Sequence, residues 1–278
     1  LCDESVPRVV NEEVLVHHLR YNFREYSEET FFKEIYNLRG GCNMVVSFDF
    51  DHSKIEAMKI TRYYDLNKRI KVEECVNSAQ LVGDKLRHAI KIRMRSDVKV
   101  GSCLSGGLDS SSIVGIIGDE IKKGQGSKEK FTTVTIGFPD EDKINEVDFS
   151  HQVTEFCNCE ENVITPQIDM VMEHLESIVW HQDEPLPHLG SEVSYAVFKG
   201  AADNKCKVFF DGQGGDEGLA GYYAYYANYL WNVFWKYGIS KFVKELKLVV
   251  QSSSMTYKTA IVFMLYFNIP FIRKFVLE

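Results

Sequence analysis

No stretch of the 278-residue chain approaches the roughly 18–20 consecutive apolar residues that a membrane span requires. The best candidate, 260–267, is short and is followed closely by Pro270, so it reads as a helix docking on a neighbour. No charged-then-apolar leader opens the chain, and export is not expected. Leu1 stands first rather than a methionine, which gives the expectation of a fragment of a longer product. There is no CxxC, and the seven cysteines are odd in number and scattered. That excludes a disulfide scaffold and a zinc site, leaves Cys157 and Cys159 as incidental reduced thiols, and fits a reducing cytoplasm. Positive charge is not in excess either. With 32 Lys and Arg against 40 Asp and Glu the formal charge is −8, a poor match for a phosphate backbone. No internal repeat is visible, and no low-complexity tract longer than 252–254.

What is present is the composition of a globular protein: 45% hydrophobic residues and 26% charged, in a chain long enough for one large domain or two modest ones. Residues 11–25 are expected to be helical, with Asn11 as cap and Val14, Leu15, His18 and Leu19 as a stripe. Residues 42–49 and 56–63 read as two strands with a turn at 51–53. From about residue 73 the pattern changes. A long amphipathic helix over 73–95 presents Val76, Ala79, Val82, Leu86 and Ile90 on one face. Strand-like segments at 98–104, 131–137, 161–165 and 207–211 then alternate with helical ones at 110–123, 145–157, 168–180 and 191–203. Such alternation means βαβ units: an α/β fold with a parallel sheet and helices on both faces. Ligands of such sheets bind at the carboxyl ends of the strands, so the chemistry is expected at 104–112, 137–142 and 211–218.

The first of these segments reads Leu104-Ser105-Gly106-Gly107-Leu108-Asp109-Ser110-Ser111, a glycine turn between a strand and an apolar helix. A turn of this kind aims several backbone N–H groups at one point, and the helix dipole adds partial positive charge there. Gly106 and Gly107 allow close approach to an anion, and Ser105, Ser110 and Ser111 can donate to phosphate oxygens. Asp109 belongs beside phosphate only if it holds a cation such as Mg²⁺. The lysine of the GxxxxGK[ST] loop is missing, and GxGxxG does not match, which leaves a loop that grips pyrophosphate. The third segment repeats the design: Asp211-Gly212-Gln213-Gly214-Gly215-Asp216-Glu217, with Ala220-Gly221-Tyr222 following. Downstream, Tyr222, Tyr223, Tyr225, Tyr226, Tyr229, Trp231 and Trp235 are spaced for burial along a helix.

The run SGGLDSS resembles the pyrophosphate loop of the N-type ATP pyrophosphatases, whose fold is that of the adenine nucleotide alpha hydrolases. Together with Gln182-Asp183-Glu184-Pro185 and the second glycine loop, the chain resembles the synthetase domain of glutamine-hydrolysing asparagine synthetases over about 67–230. The resemblance implies ATP and Mg²⁺ as cofactors. It implies that Leu104 and Ile136 line the adenine pocket, that Asp211 and Gly212 sit at the nucleotide, and that Ser105, Gly106, Gly107, Asp109, Ser110 and Ser111 hold the pyrophosphate end. It gives Asp109 and Asp216 as Mg²⁺ ligands and Gln213 as the residue tied to forming the acyl-adenylate. Residues 30–38 and 60–66 resemble the tail of the family's glutaminase domain, so 1–66 is expected to be an α+β glutaminase remnant and 67–278 a C-terminally incomplete ATP-binding domain. Cys2 does not match the surroundings of the glutaminase nucleophile. The implied activity is ATP-dependent amide formation, with aspartate or another carboxylate as acyl substrate and ammonia from glutamine. A nucleotide-binding fragment without turnover is the alternative. The implied partners are small molecules, with neither nucleic acid nor membrane, and a homodimer is a compatible assembly.

Overall fold

A computed structural model of the chain describes residues 5–24, 26–51, 54–70, 77–124, 130–139, 145–166, 168–186 and 190–277. Its elements in chain order begin with α1 (Glu12–Tyr21), β1 (Cys42–Phe48), β2 (Ile55–Arg62), α2 (Leu66–Arg69) and α3 (Ser78–Arg93). Then come β3 (Val100–Cys103), α4 (Leu108–Lys122), β4 (Thr132–Ile136), α5 (Val147–Cys157), β5 (Glu160–Ile164) and α6 (Ile168–Gln182). The chain continues through α7 (Ser191–Asp203), β6 (Val208–Phe210), α8 (Gly215–Leu219), α9 (Tyr223–Ser252), α10 (Tyr257–Asn268) and α11 (Pro270–Leu277). Two compact units result, one of Leu1–Lys85 with Gln167–Tyr195 and one of Leu86–Pro166 with Ala196–Glu278.

In the first unit α1 starts where its sequence says it should. The Asn11 side chain accepts from the Val14 N–H at 3.5 Å, and Asn22 ends the helix in the left-handed conformation. Val14 is buried on the expected stripe, whereas Leu19 is exposed. β1 and β2 form an antiparallel pair from Cys42–Arg62 to Phe48–Ile55. The expected turn falls partly on His52 and Ser53, outside the described residues. Every residue of β2 is exposed.

In the second unit four strands form a parallel sheet in the order β5-β4-β3-β6. Successive strand residues point to opposite faces, and Phe209 and Phe210 show which helices lie where. Phe210 packs into a cluster with Ile90 of α3, Ile117 of α4 and Phe131. Phe209 packs with Val134 and with Val197 and Ala201 of α7. The sheet thus carries helices on both faces, as the alternation predicts. The expected face of α3 is realised only at its end: Ile90 is buried and Leu86 partly so, Val82 is exposed, and Val76 lies outside the described residues. α3 is fastened to α4 by Glu120, whose side chain is almost fully covered and is met by Lys123 at 2.9 Å, Arg87 at 3.2 Å and Lys91 at 3.9 Å.

α9 is not one rod. Gly238 sits at φ 78°, ψ −178°, and the helix doubles back there. Residues 230 and 246 of an unbroken helix would be ~24 Å apart along the axis. Instead Leu230 packs with Leu246 and Val249, and the Tyr229 hydroxyl donates to Glu245 at 2.9 Å. Ala260 and Met264 of α10 complete this core, so 260–267 does dock on a neighbouring helix. The aromatic run corrects an expectation. Tyr222, Tyr223, Tyr225, Tyr229 and Trp235 are exposed, and only Tyr226 and Trp231 pack against the core. Ala227, Leu230 and Val233 occupy the buried seam, and at about 100° per residue Tyr225, Tyr229 and Trp235 point away from it.

Candidate functional site

Strand order places the site. From β3 the chain moves to β4 and β5 on one side, and returns through β6 on the other. The crevice at such a reversal, outside the carboxyl ends of the strands, is where open α/β sheets bind ligands. β3 and β6 pair through Ser102 and Phe210, so the two glycine loops leave adjacent strands about 5 Å apart.

The first loop is held in shape from behind. Gly106 has φ +82°, and a Cβ there would lie 2.6 Å from the Phe149 Cβ and 2.9 Å from the Ser150 nitrogen at the start of α5. Only glycine serves on both counts. Within the loop the Ser105 N–H donates to the Ser110 hydroxyl at 3.2 Å, and the two hydroxyls are 3.1 Å apart. Ser105 Oγ accepts from the Gly107 N–H at 3.2 Å. Gly107 caps α4 with no side-chain hydrogen bond, which leaves first-turn N–H groups of α4 without a side-chain cap. Ser110 is buried, and Ser111 carries a buried hydroxyl without a hydrogen-bond partner among the described residues.

The second loop comes up against the first at Asp109. A Cβ on Gly212 would be 3.2 Å from the Ser110 nitrogen and 3.3 Å from the Asp109 Cβ, and one on Gly215 would overlap the Asp109 carboxylate. Asp211 Oδ1 accepts from the Gln213 N–H at 3.3 Å and from the Cys103 thiol at 3.2 Å. Burial, with Asp211 beside it, pushes the Cys103 thiol up to about 12. Gln213 and Asp216 are exposed. The Asp216 carboxylate lies over Gly221, where a side chain would overlap it.

Of the residues singled out from sequence, Ser105, Gly106, Gly107, Asp109, Ser110, Asp211 and Gly212 are thus gathered at one sheet end. Leu104 and Ile136 lie at the same sheet end, one directly after β3 and the other the last residue of the adjacent strand β4. Leu104 is 1% exposed in a cluster with Val114 and Cys157; its N–H donates to Val134 at 2.9 Å and its carbonyl accepts from Thr135 at 2.7 Å. Ile136 is half-buried at the end of β4. Of the segment 137–142, residues 140–142 lie outside the described residues, as does His188. Cys103, Phe149 and Ser150 are contributors that motif reading passed over. Cys103 precedes the motif, and α5 is distant in sequence, so nothing in the linear pattern marks either.

Neither 104–111 nor 211–218 contains a lysine or arginine, while together they hold Asp109, Asp211, Asp216 and Glu217. Among the described residues no group of three or more His, Cys, Asp or Glu is placed to hold a metal ion.

The family model of asparagine synthase matches residues 81–264. Among curated relatives, the amidase chyE of Penicillium rubens is 28% identical over 179 residues, which are 60% of this chain and 27% of that protein. A putative glutamine-hydrolysing asparagine synthetase 2 of Methanocaldococcus jannaschii is 31% identical over 210 residues, 73% of this chain and 37% of the relative. The chain therefore spans about a third of the length of these relatives. Among solved structures, an NH3-dependent NAD synthetase of Campylobacter jejuni aligns at 15% identity with a TM-score of 0.35, covering 70% of this chain and 95% of the other.

Proposed function

This chain belongs to the asparagine synthase family, and from that premise we propose that it binds ATP across its two glycine loops and activates a carboxylate for amide formation. The single observation that carries the reading is the meeting of the two loops at Asp109, on adjacent strand ends where the sheet order reverses. A carboxylate is a poor acyl donor until it carries a good leaving group. Attack of its oxygen on the α-phosphorus forms the acyl–phosphate bond and breaks the bond to pyrophosphate. Ammonia then attacks the acyl carbon, and AMP departs with the electron pair. The N–H groups of the first turn of α4, which Gly107 leaves without a side-chain cap, stabilise the charge that grows on the departing pyrophosphate. The buried Ser111 hydroxyl, lacking a partner among the described residues, is a further donor in that turn.

The acidic character of the loops calls for a cation, because four carboxylates within two short loops and no lysine or arginine would repel a triphosphate. Mg²⁺ is commonly held by one or two carboxylates plus phosphate oxygens rather than by an all-protein cage, which fits Asp109 in its cradle of Gly212 and Gly215, with Asp216 nearby in sequence. When bound it would neutralise phosphate charge. Gln213, whose N–H is held by Asp211, is the residue to which this reading assigns help in acyl-adenylate formation. Residues 1–66 are read as the end of a glutaminase domain and the remainder as part of the synthetase domain. The free thiols among the described cysteines fit a reducing compartment.

ATP–pyrophosphate exchange tests this directly. With Mg²⁺ present, exchange should depend on one carboxylic acid of a panel that includes aspartate. Binding of ATP by calorimetry without exchange for any acid would leave a nucleotide-binding fragment and end the ligase reading.

A further inference from the structure

Between the two loops lies a side chain that the motifs do not include. Cys103 is the last residue of β3, directly before the first loop, and Asp211 is the first residue after β6. Because β3 and β6 are hydrogen-bonded neighbours in register at Ser102 and Phe210, these two residues emerge side by side. The Cys103 thiol donates to Asp211 Oδ1 at 3.2 Å, and the same oxygen accepts the Gln213 N–H at 3.3 Å. One carboxylate oxygen thus joins the base of the first loop to the turn of the second. The geometry points to Cys103 as a positioning residue: its S–H holds Asp211 so that the carboxylate fixes the Gln213 turn opposite the pyrophosphate loop. This rests on the adenylation reading above for its functional consequence, though not for the contact itself.

The sulfur suits the place. It is half-buried, so a residue without a donor would leave Asp211 Oδ1 with the Gln213 N–H as its remaining contact between the loops. Burial also keeps the group a thiol, with its proton available to donate. A hydroxyl could make the same bond with a shorter reach, whereas a methyl group could not. A neutral donor to a carboxylate, removed without replacement, is typically worth a tenfold change or more.

The test uses the full chain with Cys103→Ser and Cys103→Ala. In ATP–pyrophosphate exchange the alanine variant should lose about tenfold in turnover, and the serine variant should recover most of it. Equal rates in wild type and Cys103→Ala, or equal losses in both variants, would overturn the proposal. The contact is read independently by infrared spectroscopy of the S–H stretch, with the Cys103 band isolated by subtracting the serine variant. The band should lie below the free-thiol position and rise in Asp211→Ala; a band unmoved by that substitution also overturns it. If the wild-type chain shows no exchange with any acid, the adenylation reading fails and the infrared shift alone decides the role of the thiol.

Discussion

At Gly215 the missing side chain matters more than any present one at the site. Its Cα faces the Asp109 carboxylate so closely that a methyl group would displace it. Gly215→Ala should therefore act on Asp109 rather than on folding, since the loop is at the surface and φ there is not in the left-handed region. We expect exchange activity to fall on the order of 10–100-fold, equivalent to about 1.4–2.8 kcal/mol, with a melting temperature within a degree or two of wild type. Unchanged activity in this variant would mean that Asp109 has no role at the phosphates. Gly214 is the control, because it has φ +92° but open space where a Cβ would stand. A substitution there strains the backbone without touching Asp109. The same distinction separates Gly106, where both the positive φ and the contact with α5 forbid a side chain, from Gly107, which faces only the Ser105 hydroxyl at 3.1 Å.

Elements carry two further predictions. The reversal of α9 depends on Gly238, whose φ 78°, ψ −178° is a conformation essentially closed to residues with a Cβ. Gly238→Ala should cost about 1–3 kcal/mol and lower the melting temperature by several degrees, and thermal denaturation checks it. A drop of less than a degree would show that the two helical arms are held by their packing alone. Between α3 and α4, Glu120 supplies a pH signature. The hydrogen bond from Lys123, helped by Arg87 and by the charge of Lys91, holds its pKa below the usual 4.5. A depressed folded-state pKa means that its stabilisation is present above pH 4.5 and disappears as pH falls through the folded value. Glu120→Gln should thus lower the melting temperature at neutral pH and flatten the acid limb relative to wild type. The two curves should converge at low pH. The βαβ alternation and the Asn11 cap of α1 were legible from sequence because periodicity and capping are local, whereas the end of α1 at Tyr21, short of the expected 25, was not. The doubling back of α9 was not, since Gly238 looks like any glycine until Leu230 and Leu246 are seen in contact. The exposed tyrosines were misjudged for a related reason: which face of a helix is buried depends on its partner.

For the whole molecule the question is where ligand binding is felt. The glycine motifs told in advance which residues the fold gathers at one sheet end, because the strand–turn–helix grammar brings them there. They could not tell that Cys103 links the loops or that α5 backs Gly106, since those contacts arise from strand order and packing across distant segments. Both loops belong to the unit of Leu86–Pro166 with Ala196–Glu278, whereas β1 and β2 belong to the other. A ligand that binds only the folded state stabilises it by about 2.7 kcal/mol at a hundredfold excess over its Kd. Given the acidic loops, this gain should require Mg²⁺ as well as ATP. Amide hydrogen exchange with Mg-ATP should then show new protection at 104–111 and 211–217. Protection of the same size with ATP and chelator would remove the cation from the site. Protection confined to other segments would place the nucleotide elsewhere and leave the two loops as turns that merely share a sheet edge.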